Sequence, residues 1–186
     1  YWKSHLAGAH RFWSPPTRPE VASGELERCV SQVPSDLGRA VRELARRNGT
    51  TLFSTLLAAF QTTLSKWTGD DDILVGTPVA NRSKQAVHET MGYFSGIVPL
   101  RGQIDRARSF SDSLQAMHQS TVNSFANAMP FAELVRALGD PSSPGHNPIF
   151  EVRFALQNHP VPEIAVPGLS LLLRMCSTGT ARFDLG

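Results

Sequence analysis

Several protein classes are excluded by what the chain lacks. Its 186 residues contain only two cysteines, Cys29 and Cys176, too few for a disulfide-stapled scaffold. Both are expected as buried apolar thiols in a reducing compartment, with one long-range bridge as the other arrangement. Charge is sparse and balanced: 18% of residues are charged, and 18 Lys and Arg against 16 Asp and Glu leave +2. A nucleic-acid or anionic-membrane binder concentrates basic charge, so neither partner is expected. The opening Tyr1-Trp2-Lys3-Ser4-His5-Leu6 shows no basic patch followed by an apolar run, so no secretory signal is read there. The longest apolar-leaning stretch, residues 52–64, is interrupted by Ser54, Thr55, Gln61, Thr62 and Thr63, and is too short and too polar to span a bilayer. A soluble, cytoplasmic chain is expected. Glycine (14) and proline (13) are at ordinary levels, which excludes collagen-like and low-complexity readings. With 41% hydrophobic residues, the chain can build the core of one domain, or most of one.

The pattern predicts an α/β (mixed α+β) architecture: a mixed β-sheet with helices packed on it. Residues 1–24 read as a lead-in that Tyr1, Trp2 and Leu6 could anchor, continued by Ser14-Pro15-Pro16-Thr17-Arg18-Pro19, where three prolines preclude helix. Leu26 to Val33 reads as a strand. Helices are predicted from a Ser35 cap to Asn48-Gly49, from near Thr51 to Gly69, from a Ser109 cap through Phe125, and from Pro130 through Leu138. Ala58 and Ala59 should let a neighbour approach the second of these. The arginines Arg39, Arg42, Arg46 and Arg47 on the first helix could meet something acidic, though a solvated face is the expectation.

Asp70-Asp71-Asp72 puts three carboxylates in a row, but calcium loops alternate their ligands and end in a glutamate, so a solvated helix-to-strand turn is expected. Buried strands are predicted over Ile73–Val79, with Gly76 at a close approach and Thr77-Pro78 ending regular pairing, and over Gly92–Gly102. A third is read at Ile149–Leu156, where Phe150, Val152 and Phe154 alternate with Glu151 and Arg153. Weaker strands are read at 169–175 and 181–185. No internal repeat is visible.

No complete active site emerges. There is no Gly-x-Ser-x-Gly elbow, no His-Glu-x-x-His pair, no phosphate-binding glycine loop and no histidine pair at metal-ligand spacing. Ser95 has no base assignable by spacing, and His118 on an amphipathic helix reads as a surface or satisfied, partly buried histidine. His146 and His159 flank a strand without a visible partner. No residue is assigned a catalytic or metal-binding role.

Six stretches in order resemble the condensation domain of nonribosomal peptide synthetases. They are Tyr1-Trp2-Lys3 with Leu6-Ala7-Gly8-Ala9; Gly76-Thr77-Pro78-Val79-Ala80-Asn81-Arg82 after Asp71-Asp72-Ile73; Met91-Gly92-Tyr93-Phe94 with Pro99-Leu100-Arg101; Met129-Pro130-Phe131 with Glu133; Asn147-Pro148-Ile149-Phe150 with Phe154 and Gln157-Asn158; and Phe183-Asp184-Leu185. The chain departs from the family pattern where Ser95 and Gly96 replace the usual Val and Asn. It departs again where Ala126, Asn127 and Ala128 replace His-Gln-Asp, and where His146 replaces Arg.

The resemblance implies a chloramphenicol-acetyltransferase-like lobe, the second of two. Residues 1–24 would be the inter-lobe crossover and 25–186 the C-terminal lobe, incomplete at its C-terminus. The family's catalytic signature, His-His-x-x-x-Asp-Gly, is absent, since no histidine here is followed by another or has an aspartate four positions on. The isolated chain is therefore expected to be inactive.

The implied reaction forms an amide between carrier-tethered acyl or aminoacyl thioesters. This lobe would wall the substrate and pantetheine tunnel through Gly76, Thr77, Arg82, Tyr93, Phe94, Ser95, Gly96 and Gln157. Arg82 would contact a pantetheine phosphate or cap a strand, and the glycines would leave room for the arm or serve sheet packing. No cofactor is bound by the lobe itself; phosphopantetheine arrives on donor and acceptor carrier domains, and the N-terminal lobe is the third partner. The alternatives are a non-catalytic condensation-like docking module that recruits a partner enzyme, and a carrier-independent acyltransferase of the same fold.

Overall fold

A computed structural model describes residues 1–9, 28–82, 85–139, 147–157, 168–169, 179 and 183–186. Helix α1 (Trp2–His5) is a single turn, and α2 (Ser35–Arg47) starts after Pro34. Pro34, not Ser35, occupies the cap position, and no side chain caps this helix. Instead Asp36 in its first turn and Arg46 and Arg47 in its last complement the helix dipole. Helix α3 (Leu52–Thr68) begins where Thr51 Oγ1 accepts the Ser54 N–H and stops at Gly69, whose φ of 81° few other residues adopt. Helix α4 (Phe110–Ala126) opens with Ser109 accepting the Asp112 N–H, and α5 (Phe131–Leu138) runs from Pro130 to Gly139.

Strands β1 (Asp72–Val79) and β2 (Gly96–Gln103) form an antiparallel ladder from Asp72 opposite Gln103 to Val79 opposite Gly96. The pairing does not end at Thr77-Pro78 as expected, because Pro78 faces Ile97 and Val79 still pairs. Alternate residues of a strand turn their backbone groups to opposite neighbours. Gly76 sends both of its groups away from β2, donating to the Val152 carbonyl at 2.8 Å and accepting from the Phe154 N–H at 2.9 Å. Pro78, two residues on, would also direct its N–H away from β2, so the missing donor costs that ladder nothing. Pro99, opposite Gly76, escapes for the same reason.

Residues 151–154 thus run parallel to β1, and Arg153 N–H to Leu185 (2.8 Å) and Asp184 N–H to Glu151 (2.9 Å) add a further parallel bridge. The sheet itself has two antiparallel strands, and isolated parallel bridges extend it in the order β2, β1, 151–154, 184–185. Three expectations need correction. Residues 28–33 form no strand and are exposed, with Leu26 and Glu27 outside the described residues. The second strand begins at Gly96, not Gly92. The 149–156 segment pairs only locally, and its expected alternation fails because Glu151 is buried alongside Phe150 and Val152. Of the weaker strands, Leu169 is exposed and Leu185 makes a bridge, while residues 170–178 and 181–182 lie outside the described residues.

The core lies around β1, whose run Ile73-Leu74-Val75 is buried on both faces. Leu57 and Leu64 of α3, Val98 and Leu100 of β2, Leu134 of α5 and Ile149, Phe150 and Val152 complete it. A smaller cluster of Ala58, Leu114 and Met117 joins α3 to α4. Ala58 allows that approach, whereas Ala59 is exposed. On α4, Phe110 and Phe125 are more than a third exposed. Gln61 projects from α3 into the sheet, its Nε2 donating to the Ile73 and Leu100 carbonyls, both at 3.1 Å. A Cβ at Gly102 would lie 2.6 Å from this amide, so the glycine makes its place.

The N-terminal segment docks through Trp2 and Leu6, both in the core, each burial stabilising by about 1.5–3 kcal/mol. Trp2 Nε1 donates to the Asn127 carbonyl at 2.8 Å, and Tyr1 Oη pairs with Ser124 Oγ at 3.1 Å. Cys29 is exposed rather than buried, because it sits in the irregular stretch ahead of α2. Cys176 lies outside the described residues.

Candidate functional site

Strands β1 and β2 converge at Val79 and Gly96 and are joined by residues 80–95. Most of the predicted tunnel residues meet here. Arg82 organises the connection. Its Nη1 donates to the carbonyls of Val87 and Thr90 (the latter 2.8 Å), and its Nη2 to that of Gly92 at 3.0 Å. Its guanidinium lies over the Phe94 ring, 4.5 Å from the centroid. The arginine is therefore committed to the connection's own backbone.

Phe94 is partly buried beneath Arg82, Ser95 is exposed, and Gly96 begins β2. Tyr93 is 90% exposed and its neighbour Met91 96% exposed, so the connection presents two large apolar side chains to solvent. Gln157 is exposed as well. It lies four residues past the parallel bridge between Gly76 and Arg153.

Gly76 and Thr77 do not join this group. Both are buried in mid-strand, and a Cβ at Gly76 would lie 2.0 Å from Phe150 Cε2. The space beside Gly76 is filled by an aromatic ring, which supports its packing role and removes it as room for a substrate arm. The Asn147 side chain explains how the ring arrives: its Oδ1 accepts the N–H groups of Ile149 (3.0 Å) and Phe150 (3.2 Å) in a turn that throws Phe150 over Gly76.

Asn81 escaped the sequence reading. Its φ of 55° makes it the one non-glycine residue with positive φ among the described residues. A Cβ at Gly96 would lie 3.1 Å from Asn81 Nδ2. The available signal was that asparagine tolerates left-handed backbone, here two residues after the end of a strand.

The three aspartates are ligated by arginines and backbone rather than simply solvated. Asp70 Oδ1 accepts the Asp72 N–H at 3.0 Å. Asp71 accepts from Arg106 Nε at 2.7 Å and Ser65 Oγ at 2.8 Å, and these bonds hold its carboxyl below the ordinary carboxylate range. Asp72 takes a two-pronged bond from Arg101, Nε to Oδ1 at 2.8 Å and Nη2 to Oδ2 at 2.7 Å. Arg101 Nη1 reaches on to the carbonyls of His5 (2.6 Å) and Ala7 (3.1 Å), tying the N-terminal segment to the sheet.

His118 Nδ1 lies 2.8 Å from Ser54 Oγ. Thr51 Oγ1 donates to that oxygen at 3.0 Å, and the Ser54–His118 pair ties α3 to α4. A cavity of about 360 Å³ adjoins them, lined by Leu52, Phe53, Val122, Phe125 and Leu156 among others. His118 is thus a satisfied, partly buried histidine, as expected. His146 and His159 lie outside the described residues. Among the described residues, no group of three or more His, Cys, Asp or Glu is placed to hold a metal, and no helix is long and apolar enough to cross a membrane.

Comparison with known proteins places these features in a family context. The family model described as "Condensation domain" matches residues 1–170. Malpinin synthetase of Mortierella alpina is 33% identical over 189 residues, 100% of this chain but 2% of that protein. Tyrocidine synthase 2 of Brevibacillus parabrevis is 37% identical over 162 residues, 85% of this chain and 4% of that protein. The crystal structure of a four-domain nonribosomal peptide synthetase, holo-AB3403 bound to AMP and glycine, superposes with a TM-score of 0.79 at 22% identity, covering 85% of this chain and 12% of that one. The X-domain in its complex with OxyB from teicoplanin biosynthesis gives a TM-score of 0.81 at 18% identity, covering 98% of this chain and 40% of that one. The fold is the expected one, and the chain spans a small part of the proteins it resembles.

Proposed function

The chain belongs to the condensation-domain family, and from that premise we propose that it is the second lobe of a two-lobed domain that forms amide bonds between carrier-tethered thioesters. An amine held on one carrier attacks the thioester carbonyl held on another. The C–N bond forms and the C–S bond breaks, while the amine proton passes by way of an imidazole to the departing sulfur, so that the pantetheine leaves as its thiol. The thioester is already activated, so fixing amine against carbonyl supplies much of the rate, up to about 7–11 kcal/mol from effective molarity. The imidazole comes from the companion lobe, because this chain has no two consecutive histidines. This lobe contributes the sheet end at Gly96, with Arg82, Tyr93, Phe94, Ser95 and Gln157 near it, as a wall of the passage. Phosphopantetheine reaches it on donor and acceptor carrier domains, and the protein works in the cytoplasm.

One observation carries the reading: the family match over residues 1–170 coincides with a sheet end that holds exposed polar and apolar groups. The test is amide formation by the complete domain containing this lobe, supplied with two loaded carriers. The complete domain should form product, the 186-residue chain alone should form none, and Gly96→Phe in the complete domain should cut turnover at least tenfold with little change in melting. Product from the chain alone, or full turnover by Gly96→Phe, would overturn it. The likeness to the X-domain, seen in complex with OxyB, favours a second reading as a non-catalytic docking module. An inert complete domain that still captures a partner enzyme would establish that one instead.

A further inference from the structure

We propose that the carboxamide of Asn81 is the group with which this lobe grips a secondary amide of the tethered substrate, supplying from position 81 the side chain that position 96 lacks. The inference rests on the amide-forming role above and specifies one of its contacts.

Gly96 is the last pairing residue of the β-hairpin, opposite Val79. Two residues past Val79 the backbone turns left-handed, with φ of 55° at Asn81. That turn brings the side chain back over the hairpin end, so Nδ2 lies 3.1 Å from where a Cβ of residue 96 would stand. Any larger residue at 96 would have to push the carboxamide aside.

Among the described residues the Asn81 side chain has no hydrogen-bond partner, and it is exposed. Its neighbour Arg82 is turned away into the carbonyls of residues 87, 90 and 92. Asn81 therefore offers both a donor and an acceptor at the edge of the candidate site. A secondary amide presents the complementary pair, N–H and C=O. Such amides occur in a pantetheine arm and in a peptidyl group, and one carboxamide can grip either.

The experiment is steady-state amide formation by the complete domain with carrier-loaded substrates. Asn81→Gly keeps the left-handed backbone and removes the amide. It should lower kcat/KM about tenfold, mainly through KM, with melting unchanged. The double variant Asn81→Gly/Gly96→Asn returns a carboxamide to the same place. With Asn81 gone, the nearest atom to the new Cβ is Val79 Cγ2, in ordinary contact at 3.4 Å. It should recover to within about threefold of wild type, which a merely structural role would not allow. Repeating the series with an acetyl donor, which has no amide of its own, separates the sources. A loss that persists assigns the contact to the pantetheine arm, and one that vanishes assigns it to the peptidyl group. Wild-type kinetics in Asn81→Gly, or no recovery in the double variant, would overturn the inference while leaving the amide-forming role standing. A wild-type domain that forms no product would remove both.

Discussion

Two residues show how much rests on single positions in this sheet. Gly76 lies under Phe150, and even a methyl group there would meet the ring at 2.0 Å. Overpacking of this kind typically costs about 1–3 kcal/mol, so Gly76→Ala should lower the urea midpoint by that equivalent, and Phe150→Leu in the same chain should recover part of it. Arg101 is the other. It is partly buried with Asp72, which raises its own pKa, and it also holds two carbonyls of the N-terminal segment. Removing one member of such a pair leaves a charge without its counterpart, so Arg101→Met should cost about 3 kcal/mol in equilibrium unfolding. Asp72→Asn in the Arg101→Met background should then cost much less than it does alone. At this scale the sequence was half legible. A glycine in an apolar strand announces close approach, but not whether a ring or a ligand does the approaching; that depended on the turn at Asn147. Arg101 and Asp72 lie far apart in the chain, and only the strand register makes them partners.

The connection between β1 and β2 behaves as an element in its own right, although it contains only a short 3₁₀ turn at Gln85–Val87. Its shape depends on one guanidinium bonded to three carbonyls and stacked on Phe94. Arg82→Ala should leave global melting nearly unchanged but speed amide exchange across residues 85–94 by about tenfold or more, because these bonds hold the connection and not the core. Protection equal to wild type would show that something else shapes it. Helices were the legible elements. Thr51, Ser109, Pro130 and the terminal glycines marked their ends to within a residue or two, because capping is local chemistry. Strands were less so. Pro78 read as a breaker, yet it and Pro99 each sit where the missing N–H points away from the antiparallel partner. The 149–156 stretch read as a full strand but makes only local bridges.

Across the whole molecule, the docking of residues 1–9 joins the fold to acidity. His5 stacks against Tyr1 and sits beside Arg101 and Asp72. Burial, and secondarily the Arg101 charge, lowers its pKa from 6.5, with Asp72 opposing. The unfolded chain therefore binds a proton at His5 before the folded one does, and folding stability falls as pH drops below about 6.5. His5→Gln should flatten that slope between about pH 7 and 5 in melting experiments, and an unchanged slope would assign it elsewhere. Glu43, whose bonds to Arg46 and Arg47 bring it to about 2, titrates well below this window. The fold class was readable from ordered motifs. The anchoring of the amino-terminal segment was readable only as three aromatic and aliphatic side chains in need of a surface.

The clasp between Arg101 and Asp72 and the turn at Asn81 sit toward opposite ends of the same two strands. Seven rises of roughly 3.3 Å separate Asp72 from Val79, some 23 Å in all. Between them runs a doubly buried, hydrogen-bonded ribbon with little give. A tug on the polypeptide at Tyr1 would therefore arrive at Gly96 as a shift of a stiff beam, so strain at one margin of the molecule is felt at the other without any intervening part having to bend.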